Sequence, residues 1–267
     1  MKLVFISGNH SRHASIVRQL LESEIEVSWV IEQRENPIPN PPNDLDSDLK
    51  KLFQMHFIGR QEAELGFFGD LATSDLRGDV NTCDVFADTL NSNGTREFIL
   101  NQSPDLILSY GCHKLEREIL EIPGAKKWNI HGGLSPWYRG TATHFWPSYL
   151  LEPQFTGMTL HETTPEIDGG NIIFQTASQL VASDGIHENA CRTVSDFSNL
   201  FVNRIKNIDI EKVTAVRPAS TGRIWISRMW TPHHLRIVYE EFDNKINDYV
   251  LKNKLNHVEP KLIDVLE

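Results

Sequence analysis

The sequence predicts an α/β protein: a Rossmann-like, open and mostly parallel sheet with a small C-terminal extension. Three observations carry this. An apolar strand over residues 2–8 leads into an amphipathic helix over 12–23 and then a β-branched strand over 26–31. Parallel neighbours need such a crossover helix. Further apolar runs at 105–110, 127–131, 158–162 and 171–175 keep strand length between helical or turn segments. Finally, 267 residues at 40% apolar content supply the core of one large domain.

Taken in order, the first helix has a core face made by Ile16, Val17, Leu20 and Leu21, which fall at helical spacing. The rhythm breaks over 32–80. Pro37, Pro39, Pro41 and Pro42 exclude helix and strand ladder alike, and a polar, helical segment over 46–65 ends at Gly66-Phe67-Phe68-Gly69. Such an excursion is either a surface loop or a lid over a substrate. Regular order resumes with a helix over 84–100, the strand 105–110, a helix over 114–120 and the strand 127–131. A helix over 141–151 is stopped by Pro153. After the strands 158–162 and 171–175 comes a long helix over 184–207. Asp184 is its candidate N-cap, and Ala190, Val194, Phe197, Leu200, Phe201 and Ile205 are expected to line one side. Beyond it the pattern predicts a strand over 222–226 and a helix over 231–242 with Thr231 as cap and Pro232 at its first position. Residues 1–210 therefore form the α/β domain, with an insertion at about 34–80, and 211–267 form the extension.

Charge narrows the partners. With 26 Lys+Arg against 36 Asp+Glu the chain carries −10 and has no basic cluster, which argues against nucleic acid. No apolar run approaches the ~20 residues of a membrane span, and the N-terminal run is too short for a signal peptide. Cys83, Cys112 and Cys191 are odd in number and widely spaced. A disulfide framework or structural zinc site is not expected, and no metal is; the expected setting is a reducing cytoplasm.

The densest polar signal lies between Trp128 and Ile172. Asn129 and His131 are two apart on one strand, so they share a face at its carboxyl end, before Gly132-Gly133. Ligands bind at that edge of open α/β sheets. Asp168, in a Gly-rich loop, is the candidate to join them. An amide and an imidazole can donate to an oxyanion, and a carboxylate can orient the imidazole, which suits acyl transfer. No G-x-S-x-G elbow appears.

These residues resemble the folate-dependent formyltransferases, whose pattern reads N-x-H-x-S-L-L-P-x-Y-R-G, then T-G-x-T-x-H, six residues and D-x-G. Here it stands as Asn129-Ile130-His131-Gly132-Gly133-Leu134-Ser135-Pro136-Trp137-Tyr138-Arg139-Gly140, then Thr156-Gly157-Met158-Thr159-Leu160-His161, then Asp168-Gly169-Gly170. The likeness runs from the first strand to about residue 205. Gly133 replaces a Ser, removing a hydroxyl that could contact ligand, and Ser135 replaces a Leu. Gly169 and Asn171 replace the Thr and Pro of a D-T-G-P form.

The resemblance implies transfer of formyl from the cosubstrate 10-formyltetrahydrofolate to a primary amine. His131 and Asn129 would stabilise the developing oxyanion, and Asp168 would polarise His131 and help deprotonate the amine. The pterin would lie against Tyr110, Gly111, Cys112, His113 and Leu115 on one side, and Thr164, Pro165, Glu166 and Ile167 on the other. Asn9, Arg12 and His13, where the first helix begins, form a candidate anion site, since free amides and cations favour phosphate there. Arg139 either holds an anionic ligand group or fixes its own turn. Cys112 and His113 are adjacent and point apart, so they make no thiol–imidazole pair. His144 edges the core or lines the site. His233-His234 has no third ligand at metal spacing. Arg60, Phe67 and Phe68 of the insertion could stack on or cover a base.

Among acceptors, a nucleotide-linked amino sugar fits by elimination. The acidic chain disfavours tRNA, and the insertion and tail exceed a compact glycinamide ribonucleotide enzyme. Hydrolysis of formyltetrahydrofolate is the second enzyme reading, and a catalytically silent binding protein a third. The acceptor and the oligomeric state stay open, a homodimer included.

Overall fold

The computed structural model describes residues 1–34, 38–255 and 258–266. Strand β1 (Lys2–Gly8) is buried from Leu3 onward and lies in the interior of the sheet. Helix α1 (Ser11–Glu22) carries the chain across to β2 (Glu26–Glu32), which pairs with β1 in parallel. Helix α2 (Ser47–Phe68) follows, then β3 (Asn81–Val85), α3 (Asn93–Gln102), β4 (Leu106–Tyr110), α4 (Arg117–Leu120) and β5 (Lys126–His131). The two-residue β6 (Arg139–Gly140) and short α5 (Trp146–Tyr149) precede β7 (Gly157–Glu162) and β8 (Ile172–Ala177). Helix α6 (Ile186–Ile205), β9 (Ile224–Trp225) and α7 (Ile246–Lys252) complete the chain.

The main sheet has seven strands in the order β3-β2-β1-β4-β5-β7-β8. Strands β1 to β5 run parallel, whereas β7 is antiparallel to both of its neighbours. The order turns back on itself between β1 and β4, the switch point at which such sheets open a ligand crevice. The carboxyl ends of β1, β4 and β5 all face that crevice. The α/β class and the mostly parallel sheet expected from sequence are what the chain adopts.

Several local expectations need correction. The helix expected over 84–100 is strand β3, a turn and then α3, with Ser92 as the cap whose hydroxyl accepts from the Thr95 amide. β3 is an edge strand with only Val85 buried, so it shows no apolar period to read. The helix expected over 141–151 shrinks to α5, because Ala142 sits at φ 55°, in left-handed backbone that no helix continues through. The helix expected over 231–242 is broken into a 3₁₀ turn (Pro232–His234) and a π turn (Ile237–Glu241).

The insertion is anchored as a wall. Asp46 caps α2 by accepting from the Asp48 and Leu49 amides, and Gly69, at φ 73°, ends it. Leu49, Phe53, Ala63 and Phe68 are buried, and α2 packs on α6 and α1. Asn36 and Pro37, the start of the proline run, lie outside the described residues.

Residues after 210 pack into the same body. Trp225, Leu235, Val238, Ile246 and Val250 share one apolar cluster with Phe53, Leu134, Tyr138, Phe145 and Trp146. Bridges from Val216 to Ile172 and from Asp264 to Phe174 cover the outer edge of β8. β9 pairs with β6 so tightly that a Cβ on Gly140 would lie 2.2 Å from the Trp225 carbonyl oxygen. Gly140 also sits at φ 101°, which glycine alone adopts without strain. Among the described residues no helix is long and apolar enough to cross a membrane.

Candidate active site

A cleft of about 850 Å³ opens at the carboxyl ends of β4 and β5. Its sheet-side wall is built from the strand ends and two loops, and its helix-side wall from α2, α6 and residues of the C-terminal tail.

On the sheet side the structure brings Asn129, His131 and Asp168 together. His131 is buried at the end of β5, with Nδ1 3.3 Å from Asp168 Oδ2 and Nε2 donating to the Tyr138 carbonyl at 2.8 Å. Burial lowers its pKa below the ordinary histidine value, and Asp168 and that carbonyl oppose the shift. For Asp168, burial works against ionisation. The His131 and His161 rings and the Gly140 amide, which donates to Oδ2 at 2.8 Å, outweigh it and hold the carboxyl well below its ordinary range. The Asp168 backbone is in the left-handed region at φ 42°, which Asp tolerates better than most residues.

Asn129 is aimed by two partners. Its Oδ1 accepts from Ser109 Oγ at 2.7 Å, so its amide nitrogen turns the other way, 3.1 Å from His161 Nε2. His161 is a site residue that the sequence alone does not single out. It stands opposite Asn129 in the antiparallel β5–β7 register, with Nε2 3.5 Å from Asp168 Oδ1 and Nδ1 donating to the Glu162 carbonyl. Its place in the T-G-x-T-x-H stretch is the available signal. Ser109 gives none, since it reads as an interior residue of an apolar strand.

Gly133, where the family pattern has a serine, is explained by packing rather than by ligand. A Cβ there would lie 2.5 Å from the Tyr138 carbonyl oxygen and 2.6 Å from His131 Nε2. The turn behind it is tied down by Thr159, whose hydroxyl donates to the Gly133 carbonyl at 2.7 Å and accepts from the Ser135 amide at 3.0 Å.

Both loops expected to hold the cosubstrate face the cleft. Tyr110, Gly111, Cys112, His113 and Leu115 line one stretch, and Thr164, Glu166 and Ile167 another, while Pro165 stands outside the lining. Burial pushes the Cys112 thiol up to about 12, so it is a neutral, apolar surface. His113 turns away to Glu32, which accepts from its backbone amide and its Nδ1, both at 2.7 Å. His144 lines the cleft, bonded through Nε2 to the Gly157 carbonyl. His234 packs on Trp146 and Tyr149. Among the described residues no group of three or more metal-ligating side chains gathers.

The expected anion site is largely occupied by the protein itself. Asn9 donates to the Gln33 side chain and the Arg34 carbonyl. His13 is fully buried, edge-on to the Tyr110 ring at 4.7 Å, and does not reach the cleft. Arg139 is buried and donates to the Ile167 and Thr221 carbonyls, so it fixes its turn. Of the four residues only Arg12 lines the cleft, and it is paired with Glu64.

The helix-side wall is the part of the site least visible in the sequence. His56, Arg60, Glu64 and Phe68 recur every fourth residue along α2 and form one stripe facing the cleft. Phe67, expected beside Phe68 over a ligand, lies instead under Arg192. Ile186, His187, Cys191 and Val194 answer from α6, joined by Phe57, Phe145 and Trp230. The Tyr239 hydroxyl bridges His56 Nδ1 at 2.9 Å and His187 Nε2 at 3.3 Å. Burial first, then the neighbouring His187 and Arg60, lowers His56 to about 2; burial and Arg60 lower His187 to about 4. Both are neutral at physiological pH.

Comparison with known proteins identifies the family and the fold. Residues 1–205 match the family model described as formyl transferase. A stretch of 136 residues is 29% identical to the bifunctional polymyxin resistance protein ArnA of Wigglesworthia glossinidia brevipalpis, covering 51% of this chain and only 20% of that protein. The formyltransferase PseJ of Anoxybacillus kamchatkensis, solved with UDP-4,6-dideoxy-4-formamido-L-AltNAc and tetrahydrofolate, has a similar fold. Its TM-score is 0.51 at 18% identity, over 93% of this chain and 97% of that one. The phosphoribosylglycinamide formyltransferase of Anaplasma phagocytophilum superposes with a TM-score of 0.54 at 17% identity, over 85% and 97%.

Proposed function

The chain belongs to the formyl transferase family, and on that premise we propose that it moves a formyl group from 10-formyltetrahydrofolate to a primary amine, with nucleotide-linked amino sugars as the favoured acceptors. The observation that carries the reading is the convergence of Asn129, His131 and Asp168 at the centre of one cleft. The donor supplies an activated formyl carbon. Its flat ring system suits the stretch lined by Tyr110, Gly111, Cys112 and Leu115 and, opposite, by Thr164, Glu166 and Ile167.

In this reading the amine nitrogen bonds to the formyl carbon as the bond from that carbon to the donor nitrogen breaks. The Asn129 amide, aimed by Ser109, donates to the oxygen on which charge develops, and His131 Nδ1 adds a second donor once it has gained a proton. Asp168, held ionised, takes the proton the amine loses and hands it to His131 Nδ1, 3.3 Å from Oδ2, from which it passes to the departing nitrogen. Residues 1–210 supply this chemistry. Residues 211–267 complete the acceptor wall through Ser227 and Trp230. The ligands named for the PseJ structure, a formamido sugar nucleotide and tetrahydrofolate, support the choice of acceptor class and donor.

The test gives the purified protein 10-formyltetrahydrofolate with a panel of amines and follows tetrahydrofolate release. Release that depends on a sugar-nucleotide amine is expected. Release without any amine would replace transfer by hydrolysis, and neither turnover nor folate binding would overturn the assignment.

A further inference from the structure

The cleft carries three guanidiniums, those of Arg12 and Arg60 on the helix-side wall and that of Arg34 just beyond β2, and reads at first as a cradle for a highly charged anion. Its carboxylates change that. Glu64 projects from α2 one turn beyond Arg60. Its Oε1 accepts from Arg12 Nη1 and lies 3.7 Å from Arg60 Nε, while Oε2 lies 4.0 Å from His10 Nδ1. The carboxylate side chain is only 10% exposed, so water screens it poorly. Arg34 is matched by Glu32, 3.5 Å away, and gives a further bond to the Gly111 carbonyl.

Among the described residues, Glu188 of α6 is a further carboxylate felt at Cys191, and the rings and hydroxyls around this wall add no charge. His10, His13, His56 and His187 are held neutral, chiefly by burial. The Tyr110 hydroxyl and Cys191 thiol are both pushed up to about 12 by burial and stay protonated. The three guanidiniums thus face Glu64, Glu32 and, at longer range, Glu188, so their positive charge is largely answered by the protein.

We propose that Glu64 sets the charge the acceptor wall accepts. By standing between Arg12 and Arg60, it admits an amine carried on a neutral ring or on phosphates that bear one negative charge each, as in a phosphodiester or the diphosphate bridge of a nucleotide-linked sugar, and rejects a phosphomonoester, which concentrates two charges on one phosphate. A phosphomonoester dianion on those two arginines would lie against the Glu64 carboxylate in a poorly screened pocket, where like charges repel strongly. A phosphate bearing one charge meets about half that repulsion and leaves the Glu64 pairs intact. The proposal rests on the formyl-transfer reading for which wall the acceptor occupies, and it names the substrate property that reading leaves open.

The test uses the full chain and inorganic phosphate as probe, by titration calorimetry. In the unaltered protein phosphate binding weakens as pH rises from about 6 to about 8, because phosphate gains its second charge over that range. Glu64→Gln keeps the side chain's length and shape and removes the charge. It binds phosphate at about pH 8 at least tenfold more tightly than the unaltered protein, whereas Glu64→Asp does not. Equal phosphate affinity in Glu64→Gln and the unaltered protein, or no binding by either, overturns the proposal. Binding to the unaltered protein that tightens with pH does so too, and that series decides the matter if Glu64→Gln fails to fold by circular dichroism. Absence of turnover with every amine would instead fail the formyl-transfer reading, whereas the phosphate titrations test Glu64 independently of turnover.

Discussion

The two walls of the cleft are built by different rules. The sheet-side wall draws its reacting groups from one stretch, 129–168, fixed by strand register: Asn129 faces His161 across β5–β7, and Asp168 closes the triangle. The helix-side wall gathers single residues from α1, α2, α6 and the tail, joined by long-range pairs such as Arg12–Glu64 and His56–Tyr239–His187. Register holds a few polar atoms to within tenths of an ångström, which suits bond making. An assembly of separate helices can change one residue at a time, which suits choice of acceptor. The contrast predicts that damage on the first wall lowers turnover, and on the second lowers affinity.

The largest effect should come from His131→Ala. It is expected to lower kcat by about 10²–10⁴-fold, the usual range for a positioned proton-transfer and oxyanion group, with folate affinity changed less than about twofold. Near-normal turnover would break the division between the walls at its strongest point. A middle effect is expected from Trp230→Ala, which removes an apolar ring from the acceptor wall. The acceptor KM should rise about tenfold while kcat moves less than about threefold, in line with ~1–2 kcal/mol of lost contact. A fall confined to kcat would show that the walls do not divide the work in this way.

The smallest effect concerns stability. His56 on the helix side is held at about 2, and His144 and His187 at about 4, all below the ordinary 6.5. An unfolded chain therefore binds more protons than the folded one between about pH 6.5 and about pH 4, and stability falls as pH falls through that window. Asp168 adds to the loss only at lower pH, because its depressed value departs from a carboxyl reference near 3.9. Urea unfolding across the window should show this slope, and His56→Gln should flatten it. A flat profile in the unaltered protein would contradict the neutral state assigned to these rings.

What the sequence discloses follows the same division. Asn129 and His131 are legible because a two-residue period puts them on one face, and the spacing to Asp168 matches a known pattern. His161 escapes notice although it lies in that pattern, because its contact with Asn129 exists only once β7 pairs antiparallel with β5. The anion site misleads for a related reason. Arg12 looks like an open cation until Glu64, 52 positions away, is brought against it. Arg139 looks like a ligand hook until the Ile167 and Thr221 carbonyls claim it. Strand β3 and the turns after Thr231 are hard to read because partly exposed elements carry little apolar period. Local pattern reports local structure, and partners chosen across the fold leave no trace in it.

The pairing of β6 with β9 has an evolutionary consequence. The Gly140 amide holds the Asp168 carboxylate, while the backbone of the same residue is pressed against Trp225 of the tail. A lineage that trades its tail for another, to meet a new acceptor, exchanges the surface that seats Gly140 and through it the carboxylate. A tail that replaces this one must therefore offer the same backbone strand to residues 139–140, or the borrowed specificity arrives with its chemistry out of alignment.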